Sequence, residues 1–239
     1  MLGRFHEISV ETADIADSVA FYERLGFGQC GTTDTWPHSY GVMTDGKIYI
    51  GLHQFKFPSP TITYVHPGVA QHAHVIEKTG VELAWKRFGD DVFNEFGFVD
   101  PSGQAVRVQE APTHFASDRG ARDTSLCGDF AEFSMPAADF APMSAFWERL
   151  GFVALGESET PYVRMSMTSD YIDLAVHRPR MLDVPMLVFA AADMGERIER
   201  LRALGCEPSE DLPRGLDPRH NALLEAPEGT AILLSNAVD

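Results

Sequence analysis

Basic residues are scarce in this chain. Its 239 residues include 19 Lys and Arg against 35 Asp and Glu, a formal net charge of −16. A surface that acidic repels phosphate backbones and anionic bilayers, which argues against nucleic acid and membranes as partners. Cysteine is scarcer still. Cys30, Cys127 and Cys206 form no CxxC pair, and an odd count so widely spaced is no disulfide framework, so a reducing, cytoplasmic setting is expected. Long apolar runs are missing too. The stretch near Met186–Ala192 is far too short to span a bilayer, and Met1–Glu7 has no apolar core of signal-peptide length. No phosphate-cradling glycine loop, nucleophile elbow or zinc-finger spacing is present. What remains is ordinary globular composition, 44% apolar and 23% charged. At roughly 100–200 residues per domain, that allows one large domain or two small ones.

The chain is written twice. FYERLGF at 21–27 returns as FWERLGF at 146–152, and FHEIS at 5–9 returns as FAEFS at 130–134, about 125 residues later in each case. Tyr40, Met43, Tyr49 and Ile50 match Tyr162, Met165, Tyr171 and Ile172. Gly80-Val-Glu matches Gly205-Cys-Glu, and Pro101-Ser-Gly matches Pro227-Glu-Gly. The matches keep their order, which identifies a tandem duplication of about 110 residues. The expected division is module one at 1–112, an exposed linker at 113–128 without apolar period, and module two at 129–239.

Each copy divides again into two runs of strand, helix and strands. Asp14 and Asp139 are placed to cap helices that end at Gly26 and Gly151, with Ile15, Val19, Tyr22 and Leu25 on one face of the first. Pro142 is tolerated in the first turn of the second. Asp193 and Glu196 read as a capping box. Alternation assigns the strand faces. Ile8 and Val10 oppose Phe5, Glu7 and Ser9. Ile48, Ile50 and Leu52 oppose Tyr49, Gly51, His53 and Phe55. Val106 and Val108 oppose Ala105, Arg107 and Gln109. The aliphatic face should pack on helices, leaving the mixed polar and aromatic face to line a cavity.

Four strand–helix–strand–strand–strand units paired into two modules resemble the vicinal oxygen chelate superfamily, which includes glyoxalases, extradiol dioxygenases and bleomycin- and fosfomycin-resistance proteins. SVAFYERLGF at 18–27 with its copy at 143–152, VDPSGQAV at 99–106, and Gly80-Val-Glu82 carry the likeness. It implies an α+β fold, two tandem modules of paired βαβββ units, each a cupped, mostly antiparallel sheet with helices outside. In metal-dependent members a divalent ion is held by a His on the first strand, a Glu or His on the fourth, a His on the first strand of the second unit, and a Glu on the last strand. Carried onto module one, those positions fall on Glu7, Gly51 (with His53 one step along the same face), a residue near Thr61, and Arg107. In module two they read Glu132, Asp173, Met186 and Leu233. His6 is expected on the face opposite Glu7. An arginine cannot coordinate a cation, and Met186 and Leu233 offer no hard donor, so no metal and no other cofactor is expected.

Glu7 and Arg107 are instead expected to form a buried ion pair in the metal's place, either structural or with Arg107 reaching an anionic or carbonyl group of a ligand. His53, beside Tyr49 and Phe55, is a candidate general base or a packed core residue. His38 lies in a loop with no fixed role, and His72 and His74 are expected on a solvated helix surface. Glu132, Asp173, His177 and Arg164 form either a polar network or a second pocket. Phe5, Tyr40, Tyr49, Phe55 and Thr61 are the expected wall of the first. Of the remaining strand aromatics, Phe96, Phe98, Phe130, Tyr162 and Tyr171, many must be core. The leading functional expectation is a metal-independent small-molecule protein of the glyoxalase/bleomycin-resistance type, through binding, resistance or metal-free catalysis on a small organic compound, with a homodimer as a candidate assembly. One alternative is a lyase, isomerase or extradiol-type dioxygenase using a divalent metal on a rearranged set (Glu7 and His53, or Glu132, Asp173 and His177). Another is an interaction module with filled cavities.

Overall fold

The structure is a computed structural model that describes residues 1–31, 36–110 and 125–236. Module one opens with β1 (Arg4–Glu11), α1 (Ile15–Arg24), β2 (Gly28–Cys30), β3 (Tyr40–Thr44) and β4 (Tyr49–His53). It continues with β5 (Thr61–His66), α2 (Val69–Glu77), β6 (Trp85–Arg87), β7 (Glu95–Val99) and β8 (Ala105–Glu110). These strands make one eight-stranded sheet in the order β2-β3-β4-β1-β5-β8-β7-β6. Module two repeats the plan with β9 (Asp129–Pro136), α3 (Phe140–Arg149), β10 (Val153–Ser158), β11 (Arg164–Thr168) and β12 (Leu174–His177). Its second half is β13 (Met186–Ala191), α4 (Met194–Ala203), β14 (Ala222–Glu225) and β15 (Ala231–Asn236). Its sheet has seven strands, β10-β11-β12-β9-β13-β15-β14, with no counterpart of β6 among the described residues. Pro208, Pro213 and Pro218 crowd the segment where that strand would lie, and proline withholds the donor a ladder needs.

Local chemistry explains the helices. Asp14 Oδ1 accepts from the backbone N–H of Ala16 and Asp17, and Asp139 Oδ1 accepts from Ala141, so both expected caps form. The capping box at Asp193 does not. Asp193 makes no side-chain cap bond; its carboxylate takes Arg197 Nε one turn on (2.6 Å).

The helix-side faces of both sheets share one apolar cluster that joins the modules, with Phe27 against Phe189 and Phe98 against Phe146 (both 6.0 Å). A reciprocal clamp reinforces the junction. Tyr22 and Ser18 on α1 donate to Glu228 in the β14–β15 turn (2.6 and 2.8 Å), while Trp147 on α3 donates to Asp100 in the β7–β8 turn (3.2 Å). Tyr22 and Trp147 are the matching residues of the repeated helix motif. At the end of the expected linker, Leu126 N–H donates to the Leu25 carbonyl (2.9 Å) and Cys127 is buried; residues 111–124, the last two of expected module one and most of the linker, lie outside the described residues. No helix among the described residues is long and apolar enough to cross a membrane.

The alternation expected along β1 breaks at His6. Phe5 pairs with Tyr64 and Glu7 with the preceding Thr63, so His6 is an extra residue, a β-bulge. The bulge turns Phe5 away from the cup onto the helix-side core, edge to face with Tyr64 (6.0 Å). It brings His6 to Glu7's side, 3.8 Å from its carboxylate, against expectation in both cases. The same bulge recurs at Ala131, where Phe130 pairs with Phe189 and Glu132 with Val188. His72 is also not on a solvated surface. It is buried and stacked on His66 (3.7 Å), and burial with the neighbouring His66 pushes its pKa down to about 4. His74 is exposed as expected.

Candidate functional site

The cup of module one is built on a row of paired residues, Glu7 on β1, Thr63 on β5 and Arg107 on β8. Thr63, not Thr61, is the row-mate of Glu7; Thr61 lies two residues along and donates to the Pro58 carbonyl. Gly51 on β4 completes the floor opposite Ser9. A Cβ built on Gly51 would overlap Glu7 Oε1, so the carboxylate rests where a side chain would be. Gly97 plays the same part beneath Trp85, whose indole would overlap an added Cβ.

Glu7 and His53 are each only 1% exposed. A charge so buried must be met by donors, and it is. Ser9 donates to Oε1 (2.7 Å), His53 Nε2 to Oε1 (2.9 Å) and Tyr40 to Oε2 (2.5 Å). Thr63 in turn bonds Ser9 (2.7 Å). Burial raises the Glu7 pKa, but the His53 bond, the positive charge of His6 and His53 when protonated, and the Tyr40 bond outweigh it and hold the group at about 2. The network continues outward, where His38 Nε2 meets His53 Nδ1 at 3.0 Å.

Around this floor stands an aromatic rim. Trp36 contacts His38, Tyr40, His53 and Phe93, while Phe55 stacks on His38 at 4.9 Å and 17°. Phe57 meets His53 edge to face at 5.5 Å. Phe55 lies beyond the end of β4 and is exposed at the mouth, and Tyr49 is half-buried on the floor side of β4.

The expected Glu7–Arg107 ion pair is not made. Glu7 is already satisfied by its hydroxyl and imidazole donors, and Arg107 instead faces Glu95 (Nε–Oε2 3.4 Å) with its guanidinium over the Phe57 ring (5.5 Å). Arg107 is inward and largely buried, and its Nε has no hydrogen-bond partner.

In module two, pairing of Leu174 with Phe133 and Ala175 with Ser134 makes Ala175 the match of Gly51 and His177 the match of His53. Asp173 therefore corresponds to Tyr49, off the floor position, and is exposed. Arg164, which pairs with His177, matches Tyr40; the alignment of Tyr40 with Tyr162 is off by two. Val188, not Met186, is the row-mate of Glu132, and Leu233 pairs with it as expected. Glu132 is held by Tyr162 (3.2 Å), Ser166 (3.0 Å) and Arg164 (3.1 Å). Here burial wins. It raises the Glu132 pKa despite Arg164, Ser166 and Tyr162, with Asp173 adding to the rise. His177 accepts from Ser134 at Nδ1 (2.8 Å) and donates to the Leu182 carbonyl from Nε2 (2.9 Å). Met186, Val188, Leu216, Leu223 and Leu233 fill the rest of this cup as a second apolar cluster, covered by Met181, Leu182 and Leu212. Among the strand aromatics, Phe96 and Phe98 are core, Tyr162 belongs to this second cluster and Tyr171 is exposed.

The divalent ion implied by the superfamily does not fit these residues. In module one the last-strand position is a guanidinium, Thr63 stands where an imidazole would, and Glu7's two oxygens already accept three bonds. In module two the corresponding row is Glu132, Val188 and Leu233. Among the described residues no group of three or more His, Cys, Asp or Glu could hold a metal. Trp36, Phe57, Thr63, Glu95 and His6 were not among the sequence candidates. The one signal available was Gly51, a glycine inside an apolar strand, which marks close approach by another group.

No protein-family model and no curated protein sequence matches this chain. Solved structures do. A variant of homoprotocatechuate 2,3-dioxygenase from Brevibacterium fuscum superposes with a TM-score of 0.64 at 14% identity over 99% of this chain and 72% of that one. The Arthrobacter globiformis enzyme of the same name gives 0.61 at 17% identity, covering 98% and 80%. The 2,2',3-trihydroxybiphenyl 1,2-dioxygenase of Sphingomonas wittichii gives 0.60 at 14%, covering 99% and 91%. The chain has the vicinal oxygen chelate fold. It has it in the two-module form of the extradiol dioxygenases, at an identity that carries fold and not reaction.

Proposed function

We propose that this protein binds a small, flat organic molecule in the cup of module one, without a metal, for sequestration or metal-free chemistry. The observation that supports this reading is the replacement of the superfamily's donor row by Glu7, Thr63 and Arg107. An apolar, aromatic wall with a few converging polar groups is the usual make-up of a small-molecule site. Arg107 is the anchor for an anionic or carbonyl group, since its Nε is buried without a hydrogen-bond partner and its fork is planar. All three cysteines are free thiols, which suits a cytoplasmic setting for this reading.

The dioxygenase likeness favours a second reading, metal-dependent ring cleavage. It requires a donor set that the described residues do not provide. Benzoate titrated into the protein, followed by ligand-observed NMR, tests the first reading. Binding is expected to weaken about tenfold in Arg107→Lys, which keeps the charge and loses the fork. Equal affinity in the two proteins would remove Arg107 from the site.

A further inference from the structure

Resting on the binding site just described, we propose that His38 is the proton acceptor of the module-one cup, backed by His53 and Glu7. The molecule it serves is a flat aromatic or conjugated compound with a weakly acidic O–H. The hydrogen-bond chain sets the protons. Glu7 is ionised and accepts from His53 Nε2–H, and the tautomer of His53 that carries its proton there has a bare Nδ1. The contact at 3.0 Å then requires His38 Nε2 to donate. A neutral His38 is left with a lone pair on Nδ1, and that atom is shielded from solvent with no hydrogen-bond partner. Buried acceptors are seldom left so. In module two the equivalent chain is closed: the position matching His38 is Tyr162, which donates to Glu132, and both nitrogens of His177 are used within the protein.

The surroundings suit the transfer. His38 lies among aromatic rings, stacked on Phe55 at 4.9 Å and tilted against Trp36 at 5.4 Å, faces on which a flat partner can pack. The charged or titratable groups facing it are His53 and Arg107, with Glu7 reached only through His53. Burial, His53 and Arg107 lower the His38 pKa, which keeps the imidazole neutral and able to accept at neutral pH. In the step, the ligand O–H proton moves to His38 Nδ1, leaving an imidazolium and a ligand oxyanion, and no other bond changes. The imidazolium is stabilised through His53 by the Glu7 carboxylate, and the oxyanion by Arg107.

4-Nitrophenol tests this directly, because its anion absorbs visible light and its neutral form does not. Quenching of the Trp36 and Trp85 indoles reports binding, and visible absorbance reports ionisation. The wild-type protein is expected to ionise the bound probe at a pH at least about one unit lower than free probe, a tenfold shift. In His38→Gln, with an unchanged circular-dichroism spectrum, the affinity read by quenching should stay within about threefold while the ionisation shift shrinks to the smaller part that Arg107 supplies. A shift of undiminished size in His38→Gln, or binding to the wild-type protein without a shift, overturns the role of His38 and leaves the binding site standing. No quenching of the wild-type protein up to the solubility limit overturns both.

Discussion

Glu7 and Glu132 occupy the same place in two copies of one module, and their surroundings pull them in opposite directions. Glu7 lies over Gly51, ringed by Ser9, His53 and Tyr40, with its pKa held at about 2. In module two Ala175 takes the place of the glycine, and Glu132 leans on Arg164, Ser166 and Tyr162, with its pKa raised by burial. The matching histidines diverge in the same way. His53 carries the network outward to His38, whereas His177 turns its Nε2 to the Leu182 carbonyl in the segment covering the cup. Duplication left one cup polar and rimmed with aromatics and let the other fill with Met186, Val188, Leu223 and Leu233. One scaffold thus supports both a polar, aromatic-rimmed cup and an apolar core. The floor residues, glycine or alanine, arginine or leucine, decide which.

Removing the two glutamates should break this contrast most sharply. Glu7→Ala strips the acceptor from three donors and should cost about 3–5 kcal/mol, the range for breaking a buried charged network. Glu132→Ala should cost about 1–3 kcal/mol, because Arg164 is partly exposed and its partner's charge is already disfavoured. Urea midpoints measure both, and equal losses would erase the distinction.

Acid should sharpen it. The folded pKa of Glu7 lies below its usual 4.5, so its stabilisation is present above that value and is lost as pH falls toward about 2. His177 and His72, each pushed down by burial from 6.5 to about 4, are kept neutral in the fold and lose stability earlier, as pH falls from 6.5 toward 4. Glu132 acts with the opposite sign, since a raised carboxyl pKa favours the folded state at lower pH. Stability measured against pH should therefore fall in two steps. Glu7→Gln should flatten the lower step and His177→Gln should reduce the upper one.

Smaller effects should come from the floor. Gly51→Ala drives a methyl into the Glu7 carboxylate and should cost about 1–3 kcal/mol, as overpacking does. Ala175→Gly, the reverse exchange in module two, should cost no more than about 1 kcal/mol, mainly backbone entropy. Differential scanning calorimetry of both would show whether Gly51 is there for space or for flexibility.

Much of this was legible in the chain. The repeated FYERLGF motif and the strand alternation place Glu7, His53 and Arg107 on one inward face, and the module plan follows from the order of the matches. Four things were hidden, each for a physical reason. The bulge at His6 inverts the strand upstream of it and so moves Phe5 into the core and His6 to Glu7, and a bulge leaves no periodic trace. The sequence likeness of Tyr40 and Tyr49 to Tyr162 and Tyr171 runs two residues out of the structural register, in which Tyr40 corresponds to Arg164 and Gly51 to Ala175, and that put Asp173 where Ala175 belongs. The partner of Arg107 was hidden because Glu95 comes from a neighbouring strand whose register is set by the sheet as a whole. The rim residues Trp36 and His38 reach the cup from a loop, where alternation says nothing.

The most direct test of a metal-free cup is elemental analysis of the purified wild-type protein and of Glu7→Ala by inductively coupled plasma mass spectrometry, after incubation with ferrous iron and with manganese and desalting. Only trace metal is expected in both proteins, with no difference between them. One iron or manganese per chain in the wild type, lost in Glu7→Ala, would contradict a cup that works without a metal.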